Sequence, residues 1–272
     1  MGAGMPQNDT LPEVPEAGAP EATAALYGAI RQGMQVPIVA LFYRNLAGIE
    51  GALEWMWDVV SPLLADGRLQ ATAAHIAQTG SLQPLAPLSA NPQAIHVIDA
   101  YNRANPLNFT CAAILDHLLS GERLPPRPSA PPVGALLCDA PSALPDMVAT
   151  QDIAPNLKAG IAQLETSDTA GDGIIPSLYR HLANWPDFLE HAVNALVPRF
   201  ADGSLQSVAR QIAAVGQQET AALIGGLGVA PLPAALVAHR DAVSTSVQKF
   251  SRRIPEMIVV GRLLAAATQK EK

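Results

Sequence analysis

Residues 43–80, YRNLAGIEGALEWMWDVVSPLLADGRLQATAAHIAQTG, can be laid without a gap on residues 179–216, YRHLANWPDFLEHAVNALVPRFADGSLQSVARQIAAVG, and sixteen of the 38 aligned pairs are identical. The shared positions include Tyr43/Tyr179, Arg44/Arg180, Leu53/Leu189, Pro62/Pro198, the Ala-Asp-Gly triplets at Ala65 and Ala201, Gln70/Gln206 and Gly80/Gly216. Alanine richness does not produce such a match; the chain contains an internal duplication. Two long copies point to a pair of related units rather than a solenoid, which would show shorter and more numerous repeats. A site in such a molecule is expected between the halves.

Each copy reads as helix. Leu53, Met56, Trp57, Val60 and Leu64 fall on one face at helical spacing, and Leu189, Ala192, Val193, Leu196 and Phe200 do the same in the second copy. Pro186, Asp187 and Glu190 suit the first turn of a helix. Gly67 and Gly203 suit the left-handed residue that ends one, so each Ala-Asp-Gly is expected to be a corner between two helices. No segment alternates convincingly as a strand does. The expected fold is all-α, with two tandem helical repeats forming an intramolecular pseudo-dimer.

The chain has 272 residues, 49% of them hydrophobic, enough for a sizeable core. No apolar run reaches the roughly 18 residues that cross a bilayer. The first 20 residues carry neither a basic stretch nor an apolar one, so a cytoplasmic protein is expected. Cys111 and Cys138 match no ligand spacing and cannot form a disulfide framework. A net charge of −7, with no basic cluster beyond Arg252-Arg253, argues against nucleic acid or an anionic membrane as partner. A homodimer is compatible with these features.

The expected organisation is a disordered tail over 1–20, a first repeat over 21–121, a linker over 122–147 and a second repeat over 148–272. The linker holds seven prolines, which remove backbone donors and interrupt helix. Tyr101-Asn102-Arg103 with Pro106 echoes Phe250-Ser251-Arg252 with Pro255, and each is expected to be a polar turn entering a long apolar helix.

The six histidines show no paired spacing backed by carboxylates, and there is no GxGxxG, Walker loop or GxSxG, so no metal or cofactor is implied. His181 and His191 read as structural. Asn102, Arg103, Asn105 and Asn108 interrupt apolar sequence, as do Arg44 and Arg180 at matched positions. Guanidinium and carboxamide groups in an apolar cleft suit a small carboxylate. The competing reading is that Arg44 and Arg180 are duplicated because they fix helix packing.

Three stretches, QVPIVALFYRNLA from Gln35, SLYRHLANWPDFL from Ser177 and AYNRANPLNF from Ala100, resemble the group I 2-haloacid dehalogenases, and the likeness runs over nearly the whole chain after the tail. The resemblance implies an all-α pseudo-dimer with its site between the repeats. There a carboxylate would activate water for attack on the halogen-bearing carbon of a 2-haloalkanoic acid, giving a 2-hydroxyacid and halide with no ester intermediate. Counting back from Asn184-Trp185-Pro186, the family's catalytic aspartate falls on Leu178, which cannot take a proton. The serine before it is retained as Ser177, and the asparagine that helps hold the water matches Asn105. The family's aromatic wall falls on Ile38 and Leu41, and a tyrosine near the C-terminus falls on Phe250. Asp172, between two glycines, is the nearest carboxylate in sequence that could stand in as base; its alternative reading is a turn or capping residue. Arg44 and Arg180 complete the expected pocket. Two alternatives to hydrolysis stand beside it. One is a non-catalytic or differently active protein binding a small apolar or carboxylic ligand between the repeats; the other is an interaction protein whose cleft is closed by Leu178, Ile38 and Leu41.

Overall fold

Both Ala-Asp-Gly triplets form tight corners between two helices. In the computed structural model, which describes residues 13–89, 91–121, 142–166, 174–225 and 232–269, Gly67 (φ 81°) and Gly203 (φ 73°) take the left-handed backbone that costs glycine no Cβ clash. Asp66 and Asp202 accept the backbone N–H groups of Arg68 (3.1 Å) and Ser204 (2.8 Å). Gln70 and Gln206 reach back to donate to the carbonyls of Leu64 (3.2 Å) and Phe200 (3.1 Å). The repeated residues therefore build the same joint twice, satisfying polar groups that a helix end leaves open.

The fold is all-α, with ten α-helices and no strand among the described residues. They are α1 (Glu21–Met34), α2 (Leu41–Leu46), α3 (Ala52–Ala65), α4 (Arg68–Ala77) and α5 (Pro92–Ser120), then α6 (Pro155–Ala162), α7 (Ser177–Leu182), α8 (Pro186–Ala201), α9 (Ser204–Gly225) and α10 (Arg240–Thr268), with short 3-10 turns at Thr150–Asp152 and Ala234–His239. None of the described helices is long and apolar enough to cross a membrane. Contacts between elements are reciprocal: α1 packs on α3 and α6 on α8, α4 on α5 and α9 on α10, α2 on α10 and α7 on α5. The last two pairings cross between the halves, and α5 and α10 pack along one another at the centre. Small residues let α5 approach both α9 and α10 closely. A Cβ on Gly216 would stand 2.2 Å from the ring of Phe109, and Asn102 donates to the Gly261 carbonyl at 3.0 Å.

Three expectations are corrected. Tyr101–Arg103 and Phe250–Arg252 do not form turns: both lie within the long helices α5 and α10, which run on through Pro106 and Pro255. α5 begins at Pro92 because Asn91 caps it, accepting the Ala94 N–H at 2.8 Å. Along α3, Trp55 is buried whereas Trp57 is only half-buried. Finally, residues 13–20, assigned by sequence to a tail, are tied to the body. Val14 donates to the Arg44 carbonyl at 3.0 Å and accepts the Tyr27 hydroxyl at 2.7 Å, while Glu13 pairs with Arg44 and Glu16 with Arg31.

Candidate functional site

A cavity of about 530 Å³ lies where α2 and α5 of the first half meet α7 and α10 of the second. Its walls draw on positions paired by carrying the alignment of 43–80 on 179–216 a few residues further towards the N-terminus. Ile38 and Ile174, Leu41 and Ser177, and Phe42 and Leu178 all line it from the segments entering α2 and α7. The long helices contribute Tyr101, Asn105 and Asn108 from α5 against Phe250, Ile254 and Met257 at the equivalent positions of α10. Along α5 these residues are spaced i, i+4, i+7, so they stack on one face. Equivalent positions therefore differ in character: Tyr101, Asn105 and Asn108 offer hydroxyl and carboxamide groups, whereas Phe250, Ile254 and Met257 are apolar, with the Arg253 guanidinium of α10 also in the lining. Phe250 closes the apolar side edge-on against Phe42, their ring centroids 5.4 Å apart.

Of the residues expected from sequence, Ile38, Leu41, Arg44, Asn105, Ser177, Leu178 and Phe250 all line the cavity. Arg180 does not: its Nε donates to the Val148 carbonyl at 3.1 Å, which leaves it behind the wall. Asp172 lies outside the described residues. Leu178 is 1% exposed and contributes an apolar side chain to the cavity lining.

The cavity also uses residues the sequence did not single out. Pro15 to Ala17 form part of the wall, and so do Ala143 to Met147 at the end of the proline-rich segment. Tyr101 and His181 join the two halves across it, the phenol oxygen lying 2.8 Å from His181 Nδ1 and the ring centroids 5.6 Å apart. His181 was legible only in part: it stands one turn after Leu178 on α7, but a single histidine among apolar residues reads as structural until its partner is known.

Burial sets the charge states here. The His181 imidazole is lowered to about 4, mainly by removal from water, with the cations of Arg180 and Arg44 pushing the same way against the carbonyls of Ser177 and Pro145. It is neutral at pH 7. Burial likewise raises the Tyr101 phenol well above its ordinary value, opposed by Arg44, a hydrogen bond with Ser177 and Arg180, so Tyr101 keeps its proton. Arg44 is 8% exposed, and its Nε is 3.1 Å from the Glu13 carboxylate. Arg180 feels Arg44 as a like charge, lowering it further after burial. The guanidiniums of Arg44 and Arg180 thus lie close enough to act on one another, with Glu13 as the carboxylate paired to Arg44.

Carboxylates in the described lining are limited to Glu16 and Asp146. Glu16 is engaged with Arg31 and accepts the Val39 N–H at 3.0 Å, fixing the wall. Asp146 is exposed, and its main-chain carbonyl accepts Asn184 Nδ2 at 2.9 Å. Among the described residues no group of three or more His, Cys, Asp or Glu is placed to hold a metal ion.

No family model matches the sequence, and no curated protein sequence does so. Among solved structures, the chain superposes on a mutant D-2-haloacid dehalogenase in complex with D-2-CPA at 17% identity and a TM-score of 0.71, over 95% of this chain and 94% of that one. A crystal structure of a D-2-haloacid dehalogenase mutant matches at 18% identity and a TM-score of 0.71 over the same shares. A D-2-haloacid dehalogenase in complex with L-LA matches at 17% identity and 0.68, again with 95% and 94% coverage. The chain therefore shares the fold of these D-2-haloacid dehalogenases over almost its full length.

Proposed function

We propose that the two repeats form an intramolecular pseudo-dimer whose central cavity takes a small 2-substituted carboxylic acid of the 2-haloacid class, and that its chemistry is hydrolytic replacement of the halogen by hydroxyl. The observation that carries this reading is a cavity whose lining combines the hydrogen-bonding groups of Arg44, Arg253, Asn105 and Ser177 with the apolar side chains of Phe250, Ile254 and Met257. A 2-haloacid has that polarity. Its carboxylate suits guanidinium and carboxamide donors, and its halogen and alkyl groups suit a surface without polar atoms. The likeness in fold to structures of D-2-haloacid dehalogenases supports the same class.

Leu178 favours a second reading, in which the cavity binds the acid without turning it over. A general base contributes about 10²- to 10⁴-fold to such a reaction, and a buried leucine supplies none. The deciding experiment measures calorimetric binding of both enantiomers of 2-chloropropionate and their conversion to lactate and chloride. It compares the parent with Asp172→Asn and Leu178→Asp. Binding with chloride release supports the hydrolytic reading. Binding with a silent parent and release gained in Leu178→Asp supports the second. Binding of neither enantiomer overturns both.

A further inference from the structure

The site lacks a carboxylate where hydrolysis would use one, yet a proton acceptor lies one turn away. Leu178 and His181 are three apart on α7, hence on one face, and both line the cavity. Opposite them on α5 stand Tyr101 and, one turn further, Asn105. Tyr101 carries its proton, and its oxygen lies 2.8 Å from His181 Nδ1; in the Nε2–H tautomer of the imidazole the phenol donates to Nδ1. The imidazole ring is held from two directions: by Tyr101, whose hydroxyl meets it and whose ring lies tilted at 59° to it, and by the carbonyls of Ser177 and Pro145. Its surroundings carry the cations Arg44 and Arg180 but no acidic side chain among the groups that act on it.

We infer that Tyr101 and His181 form a proton relay that replaces the missing carboxylate at position 178, drawing the proton from a water held beside Asn105. The inference rests on the substrate class proposed above. In the step, an O–H bond of water breaks and its proton goes to the Tyr101 oxygen, while the phenol proton passes to His181 Nδ1. The water oxygen forms a bond to C2 of the 2-haloacid as the carbon–halogen bond breaks, and halide leaves with the bonding pair. The imidazolium then returns its proton to solvent. The sum is 2-haloacid anion plus water giving 2-hydroxyacid anion, halide and one proton. Arg44 and Arg180 favour return of that proton, since the charged imidazole is disfavoured beside them. A base as weak as this histidine is comparable with a carboxylate, so the exchange does not require a stronger acceptor than an aspartate would be.

The test is steady-state chloride release from each enantiomer of 2-chloropropionate by the full chain, with calorimetric binding in parallel, for the parent, His181→Gln, Tyr101→Phe and Asp172→Asn. Expected is a loss in kcat of about 100-fold or more in both His181→Gln and Tyr101→Phe, with dissociation constants within about threefold of the parent and a solvent deuterium effect that the variants lose. A parent that binds but releases no chloride, His181→Gln with unchanged kcat, or turnover abolished by Asp172→Asn overturns the relay and leaves the substrate class standing. A parent that binds neither enantiomer removes the substrate class and the relay with it. Should His181→Gln fail to fold, Tyr101→Phe, which keeps the ring, decides alone: unchanged kcat overturns the relay.

Discussion

Tyr101 and His181, 80 residues apart in sequence, meet through a 2.8 Å hydrogen bond across the interface of the two halves. The bond has a thermodynamic consequence because His181 is held neutral. Its folded value is about 4 against 6.5 for the free side chain, so between those limits the unfolded chain binds a proton that the folded chain refuses. Stability must therefore fall as pH drops from about 6.5 towards 4, by on the order of 3 kcal/mol from this residue. Urea denaturation at pH 7 and pH 4.5 checks this: the drop in midpoint stability is expected to be smaller in His181→Gln by about that amount.

The meeting of α9 with α5 leaves no room at Gly216. Alanine in a helix interior gains roughly 1 kcal/mol over glycine, but its Cβ would stand 2.2 Å from Phe109 Cε1, and overpacking a core costs about 1–3 kcal/mol. The clash wins. Gly216→Ala is expected to lower the urea midpoint, whereas in a Phe109→Ala background the same change is neutral or stabilising, a sign reversal that a double-mutant cycle reads directly.

Arg44 is the cation of the cavity lining whose counter-ion is known, Glu13 at 3.1 Å. A charge-assisted hydrogen bond contributes about 1.5–3 kcal/mol. Arg44→Gln is thus expected to weaken binding of 2-chloropropionate by roughly 10- to 100-fold. Glu13→Gln acts in the opposite direction, since it leaves the guanidinium uncompensated and should tighten binding several-fold. Isothermal titration at two salt concentrations separates the electrostatic part from any loss of packing.

Leu178→Asp places a carboxyl where the leucine is 1% exposed. Burial raises the folded pKa of such a group above its unfolded value, so the variant binds more protons folded than unfolded near neutrality. Its stability is expected to be lower than the parent's by about 2–4 kcal/mol at pH 7. Part of that deficit is recovered as pH falls towards 5, the reverse of the trend assigned to His181. Thermal melts of parent and variant across that range measure the difference.

The helices and corners were legible because they depend on neighbours in sequence. Leu189, Ala192, Val193, Leu196 and Phe200 are buried together as their spacing implies, and Asp66 with Gly67 and Asp202 with Gly203 close the two corners through contacts spanning two residues. The resemblance also brought Asn105, Ser177, Leu178, Ile38, Leu41 and Phe250 to one place, and the structure gathers those six around one cavity. Where sequence misjudged, a longer-range cause was at work. Pro106 and Pro255 look like helix breakers, yet α5 and α10 carry on through them because each is packed against the other along its length. Pro15 to Ala17 and Ala143 to Met147 look like tail and linker, yet both close the cavity through contacts with residues far along the chain.

The sequence by itself determined that the molecule is helical and turns two Ala-Asp-Gly corners of the same kind, because period and capping are local properties of a chain. Only the tertiary structure decided which copies of each residue face each other. Asn105 opposes an apolar wall that includes its own counterpart Ile254, and Tyr101 finds His181 rather than an equivalent of itself. Those pairings follow from α5 and α7 crossing between the halves, and packing between segments far apart in sequence leaves no trace in the spacing of either one.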